Sequence, residues 1–199
     1  DTPLDIASTE VAMLYDDNPR LPSQELLERL SDAFLAESLQ VSQIDEDVSP
    51  NGTISSTYSI DGLTVLVLQT SAPLPTDLIA DGQNWPLMDM SWPDASEEIA
   101  RHSGTIMVNV TDDADTDNGV ARDTDQSLQT AYIRTVVAHK VASTIAEMRL
   151  PIGVLWGASR MLVSGERYAQ MIEDIIPVAI AVRITPFSSD REIDGCLLY

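Results

Sequence analysis

The sequence predicts an α+β fold, a two-layer sandwich with a mixed sheet related to the ferredoxin-like arrangement. Three observations carry this expectation. Residues 41–70 hold three extended runs, Val41–Val48, Thr53–Ile60 and Leu63–Thr70, divided by Asn51-Gly52 and Asp61-Gly62. Those dipeptides favour the positive φ angles of tight hairpin turns, so the stretch reads as an antiparallel meander. From Thr105 onward the order is strand, helix, strand, helix, strand, and such crossovers are right-handed and give parallel pairing. Finally, 199 residues at 44% apolar content fill one generous core. Residues 1–199 are therefore taken as a single domain, with a loose duplication of strand–helix units dividing it into sub-halves 1–110 and 111–199.

Val11–Tyr15 is a short apolar run and reads as the first strand. Pro19 and Pro22 break the chain before Ser23–Glu37, where Leu26, Leu27, Leu30, Ala33 and Phe34 fall at helical spacing and leave Glu25, Glu28, Arg29 and Asp32 for water. Pro22 suits a helix start, since its missing N–H has no intrahelical partner there. In the meander, Leu63–Leu68 is apolar on both faces and is expected to be a central strand covered on both sides. Ala72–Met90, with Pro73, Pro75, Gly82 and Pro86, shows no periodicity and reads as a long irregular connection.

Ser91 is placed as the N-cap of a helix running to about His102, with Asp94 three residues on. Thr105–Val110 is a β-branched strand. An acidic loop, Thr111 to Asp123, leads to a long helix from about Asp125 to Met148 whose stripe is Ile133, Val137, Val141, Ile145 and Met148. Ile152–Trp156 reads as a buried strand, and Ser164 caps a helix carrying Tyr168, Met171, Ile172 and Ile175 that stops at Pro177. Val178–Ile184 and Gly195–Tyr199 read as strands, the last ending abruptly as if the native chain continued.

Net charge is −21, from 32 acidic against 11 basic residues, and the only lysine is Lys140. That field repels nucleic-acid phosphates and anionic lipid, which excludes both as partner classes. Cys196 is the single cysteine, so no intramolecular disulfide forms, consistent with a reducing compartment. No run approaches the ~20 apolar residues of a membrane span. The N-terminus lacks a charged-then-apolar leader, though it also begins without Met. A cytoplasmic protein is expected.

Few constellations carry chemistry. Asp113, Asp115 and Asp117 alternate as at the start of a calcium loop, because side chains two apart converge on one hard cation. The pattern then departs: Asn118 stands where the turn glycine belongs, and Thr124 where the bidentate Glu belongs. Weak calcium binding by those three carboxylates is set against a solvated acidic loop. His102 is read as a helix C-terminal cap and His139 as exposed or at an interface. Cys196 reads as a packed thiol, and no phosphate loop, G-x-G-x-x-G or G-x-S-x-G occurs. Trp85 and Trp92 flank the long connection, and Trp156 ends a strand before a Gly turn. Ligands in such sheets gather at strand C-termini, so Trp156, Ser159 and Arg160 are expected to line a pocket with Trp92 as a wall. The alternative is that the indoles anchor loops to the core.

Trp92 and Ala95 lead through His102 to Ile106-Met107-Val108. Gly153-Val154-Leu155-Trp156 precedes a polar turn and a helix, and Ile176-Pro177 precedes Val178–Ile184. In these blocks the chain resembles an uncharacterised bacterial family, domain of unknown function 4261, over most of residues 10–199. The resemblance implies a fold and no activity, so no catalytic residue is carried over.

The expectation for function is a non-enzymatic binding or regulatory module that forms a homodimer through a sheet face or edge. One alternative is a small-molecule-binding protein or enzyme using the pocket near Trp92, Trp156 and Arg160. Another is an acidic immunity-type protein that neutralises a basic protein partner.

Overall fold

Strand β1 (Ser8–Tyr15) is the axis of the sheet. In the computed structural model, which describes residues 8–83, 88–112, 124–181, 184–188 and 194–198, β1 is antiparallel to a strand on either side. These are β5 (Gly104–Asp112) and β6 (Gly153–Trp156). Beyond β5 come β4 (Leu63–Thr70), β3 (Ile54–Ile60) and the edge strand β2 (Val41–Val48). Beyond β6 comes β7 (Met161–Ser164). The order is β2-β3-β4-β5-β1-β6-β7, and β8 (Ile184–Ser188) with β9 (Asp194–Leu198) forms a second, two-stranded sheet.

Every pairing in these sheets is antiparallel, which corrects the mixed sheet expected from the sequence. The helix α5 (Thr124–Met148) does join two parallel strands, β5 and β6. But β1 lies between them, antiparallel to both, and takes the hydrogen bonds a parallel pair would have used. The meander is as expected: β2, β3 and β4 pair in succession, with Gly52 at φ 82°, Asp61 at 49° and Gly62 at 79° in the two turns.

The helices α1 (Ser23–Leu35) and α5, with the short α6 (Gly165–Ala169) and α7 (Val178–Ala181), cover one face. Leu26, Leu30 and Phe34 of α1 and Val141 and Ile145 of α5 pack there against Met13, Tyr58, Val65, Val108 and Trp156. A second apolar cluster lies on the opposite face, where Leu74, Ile79, Trp92 and Ile99 pack on Ala12, Leu14, Leu155 and Leu162. It is supplied by α2 (Thr76–Gln83), α3 (Met88–Ser91), α4 (Ala95–Ala100) and the residues between them. The expected two layers therefore become three over β1, β6 and β7. β1, not β4, is the strand buried on both sides: Met13 and Tyr15 point to one cluster and Ala12 and Leu14 to the other, whereas Thr64, Leu66 and Leu68 of β4 stay half-buried.

Other elements differ from expectation for local reasons. The stretch read as irregular holds α2, because Pro75 precedes the helix where its missing N–H costs nothing. Gly82 lets α2 approach β7, since a Cβ there would stand 2.8 Å from Leu162 Cβ. Ser91 ends α3, its hydroxyl donating to the Met88 carbonyl at 3.1 Å, and Asp94 is the N-cap position of α4. Ser164 caps α6 as expected, accepting from the Arg167 N–H at 3.2 Å, but α6 stops at Ala169 and the chain turns through Met171 and Asp174. Val178–Ala181 is helical, with the Ala181 N–H bonded to the Pro177 carbonyl at 2.8 Å, so Pro177 opens a turn of helix where a strand was expected.

Candidate functional site

The two tryptophans expected to share a pocket stand on opposite faces of the sheet. Trp156 is 1% exposed and belongs to the α5 side; Trp92, 5% exposed, belongs to the α4 side. Successive residues of β6 point to opposite faces, so Trp156 is directed away from the surface on which Trp92 sits, as Leu155 and Gly153 are directed towards it. Ser159 is buried as well: its hydroxyl donates to the Ile180 carbonyl and accepts from the Met161 N–H at 3.3 Å, tying the β6–β7 turn to α7. Arg160 is exposed in that turn at φ 52°. Trp92, Trp156, Ser159 and Arg160 thus do not surround one cavity, and Trp156 and Ser159 are packing groups. Asp113, Asp115 and Asp117, the calcium candidates, and Trp85 lie outside the described residues. Among the described residues no group of three or more His, Cys, Asp or Glu is arranged to hold a metal ion.

What the structure does form near Trp92 is an open cleft of about 500 Å³. Its geometry follows from two glycines. The indole lies against the backbone of β6, where a Cβ on Gly153 would stand 2.8 Å from Trp92 Cη2. A Cβ on Gly165 would stand 1.7 Å from the Pro151 carbonyl oxygen, so the segment before β6 and the start of α6 are in backbone contact. Around this base stand four carboxylates from three parts of the chain: Asp16 after β1, Asp94 and Glu98 at α4, and Glu166 in the first turn of α6. Among the described residues no basic side chain lines the cleft. Glu98 is oriented by the Trp92 indole N–H, which donates to its carboxylate at 3.0 Å. Carboxylates grouped without counter-charge create a local negative field that favours a cation.

A second cleft, about 460 Å³ and more apolar, lies between α2 and α4 and is bordered by Leu74, Ile79, Ile99 and His102. His102 spans it as a structural strut. Its Nε2 accepts from the Leu74 N–H at 3.0 Å, which places the ring hydrogen on Nδ1, facing the Ile99 carbonyl. Through the Ile99 carbonyl the ring caps the last turn of α4, as the sequence suggested, and through the Leu74 N–H it also ties that turn to the segment before α2.

His139, expected to be exposed or at an interface, is 2% exposed and packed inside the fold. The Met171 carbonyl only accepts, so Nε2 carries the hydrogen and donates to it at 3.0 Å, and Nδ1 accepts from the Tyr168 hydroxyl, also at 3.0 Å. Tyr168 stands edge-on to the imidazole at 5.6 Å between ring centroids, and Trp156 lies at 6.4 Å. Burial lowers the pKa of His139, opposed by the Met171 and Asp174 backbone and the Asp174 charge, and it raises that of the Tyr168 phenol. Both ring nitrogens of both histidines are therefore engaged within the fold.

Among the described residues the other buried charge is an ion pair, Arg134 of α5 with Asp112 at the end of β5, at 3.0 Å. The stripe read on α5 placed Ile133 inside, yet Ile133 is 43% exposed and Arg134 4%. The spacing 134, 138, 141, 145 was present in the sequence and fits the buried face; an arginine at its end disguised it. The cleft carboxylates had a weaker signal. Asp94 and Glu98 are four apart on one helix face, but nothing in the sequence brings Asp16 or Glu166 beside them. Comparison of the chain with protein-family models, with curated proteins and with solved structures finds no match to any of them.

Proposed function

We propose that this protein is a binding module rather than an enzyme, and that it takes a basic segment of a protein partner at the cleft beside Trp92. The supporting observation is the set Asp16, Asp94, Glu98 and Glu166 around one cleft of about 500 Å³, with no basic side chain on its walls among the described residues. On a chain of net charge −21, such a cleft draws cations and raises their rate of encounter. The engagement of both ring nitrogens in His102 and His139 supports a non-catalytic role, since neither is left to carry a proton to a substrate. This is the behaviour of an acidic immunity-type protein neutralising a basic partner. Cytoplasmic location, membership of the uncharacterised bacterial family and kinship with ferredoxin-like folds belong to the same proposal, the last supported by the β5–α5–β6 crossover around β1.

The test is calorimetric titration with a short Lys- and Arg-rich peptide at about 0.1 M and about 1 M salt, where the Debye length falls from about 10 Å to about 3 Å. Binding is expected at low salt, lost at high salt and weakened in the double variant Asp94→Asn, Glu166→Gln. Affinity indifferent to both salt and the double variant overturns the proposal. A second reading, a small-molecule site or enzyme at the same cleft, draws on its volume, which lies in the range of about 300–1,000 Å³ usual for ligand pockets. Turnover lost in Glu98→Gln would select it.

A further inference from the structure

The edge strand β2 is one of the two places where the sheet can still grow. It ends the seven-stranded order, is paired on one side by β3, and exposes six of its eight residues. In an antiparallel ladder successive residues direct their N–H and C=O alternately to the two neighbouring strands, so roughly half of β2 presents these groups outward. An open row of this kind is a template for another strand.

We propose that the outer edge of β2 docks one extended basic segment of a protein partner, adding an eighth strand to the sheet. This rests on the reading that the partner is basic, but it places a contact at the opposite sheet edge from β7 and the Trp92 cleft. Charge selects the occupant. Asp45, Glu46 and Asp47 are consecutive and exposed. Their register opposite Thr57, Ser56 and Ser55 puts acids on both faces of the strand, with no basic residue across from them on β3. A second copy of the chain paired antiparallel about this run would set three carboxylates against three, and like charges directly opposite destabilise a pair. An incoming strand with Lys or Arg at alternate positions meets opposite charge instead. Ile44 at the bulge and Val48, 59% and 58% exposed, give its apolar side chains a surface to cover. The bulge and the acids blunt the edge against neutral or acidic strands; they do not oppose a basic one.

The probe is an eight-residue peptide alternating Lys and Val, with a control of the same sequence carrying a methyl on every backbone nitrogen. The control keeps charge and side chains but cannot donate to a ladder. On the full chain, the peptide is expected to slow amide hydrogen exchange within residues 41–48 and to bind at least about tenfold more tightly than the control, about one decade in dissociation constant. The double variant Asp45→Lys, Asp47→Lys, at exposed positions that leave the core untouched, is expected to weaken it at least about tenfold, while Asp94→Asn, Glu166→Gln leaves the protection of 41–48 in place. Equal affinity for the methylated control overturns the inference, as does binding without protection of β2. So does a dimer of the protein alone that the Asp45→Lys, Asp47→Lys variant abolishes, because a second copy would then be the occupant. Binding confined to the Trp92 cleft sinks this inference and spares the proposed function; no binding at either place sinks both.

Discussion

Acidification acts on this fold through His139. The imidazole is 2% exposed, donates from Nε2 to the Met171 carbonyl and accepts at Nδ1 from the Tyr168 hydroxyl. A proton added at Nδ1 would turn that acceptor into a donor facing a hydroxyl that must reorient, inside a wall formed by Trp156 and Tyr168. The charge of Asp174 acts on the ring, and its attraction does not overcome burial, so the folded-state pKa lies below the ordinary 6.5. The sign follows. Above about pH 6.5 the ring is neutral folded and unfolded, and contributes no pH dependence. Below it the unfolded chain takes up a proton that the folded chain refuses, so stability falls by up to about 1.4 kcal/mol per pH unit until the folded pKa is reached. Urea denaturation of the native protein and of His139→Gln, at about pH 7.5, 6.5 and 5.5, isolates this proton because all other groups cancel in the difference. Gln at this position costs stability at neutral pH, and the gap between the two proteins is expected to narrow by up to about 1.4 kcal/mol between pH 6.5 and 5.5. Parallel stability profiles, or a gap that widens in acid, would refute the assignment of His139 as a buried neutral strut.

Three further perturbations probe the packing that positions the cleft and the helix above the sheet. Arg134→Met deprives the buried Asp112 carboxylate of its guanidinium partner and is expected to cost about 3–5 kcal/mol in chemical denaturation, much of it recovered when Asp112→Leu is added. Gly153→Ala drives a methyl into the Trp92 ring at 2.8 Å; the side chain can shift, so a cost of about 1–3 kcal/mol and a changed Trp fluorescence are expected. Gly165→Ala meets the Pro151 backbone carbonyl at 1.7 Å, where nothing flexible can yield, and is expected to be the more damaging by soluble yield and melting temperature.

The legible parts of the fold were those whose signal is local. Asn51-Gly52 and Asp61-Gly62 mark their hairpins because a positive φ is a property of one or two residues, and Leu26, Leu30 and Phe34 mark α1 because a buried stripe repeats within one helix. What escaped depends on distant partners. That β1 separates β5 from β6 is decided by strand pairing over some hundred residues of chain, and a strand–helix–strand order reads the same with or without the inserted strand. The site suffered likewise. Trp156 and Trp92 are plausible neighbours in sequence logic, yet strand parity in β6 places Trp156 on the α5 face while Gly153 and Leu155 meet the α4 side. The Ile133 stripe leaves His139 exposed or at an interface, but α6 and the turns after it widen the buried face of α5. The carboxylates of the cleft come from three separated segments, and no pattern along the chain announces such a meeting.

The distribution of charge explains how one acidic surface serves both fold and partner. Three basic residues on or just beyond α5 are paired within the chain: Arg134 with Asp112 in the interior, and at the surface Lys140 with Glu37 of the segment after α1 and Arg149 with Asp17 after β1. Lys140 also lies 5.2 Å from the Phe34 ring centroid and Arg149 5.5 Å from that of Tyr15. These cations link the longest helix and its end to the strands and helix beneath it, while among the described residues the acids of the Trp92 cleft have no basic side chain on their walls and those of β2 have none opposite them on β3. Self-repulsion among outward acids opposes compaction, and salt relieves it. Attraction of a basic segment to those same acids is weakened by salt. Ionic strength therefore pushes the fold and the complex in opposite directions, and loss of binding as salt rises cannot be ascribed to loss of structure.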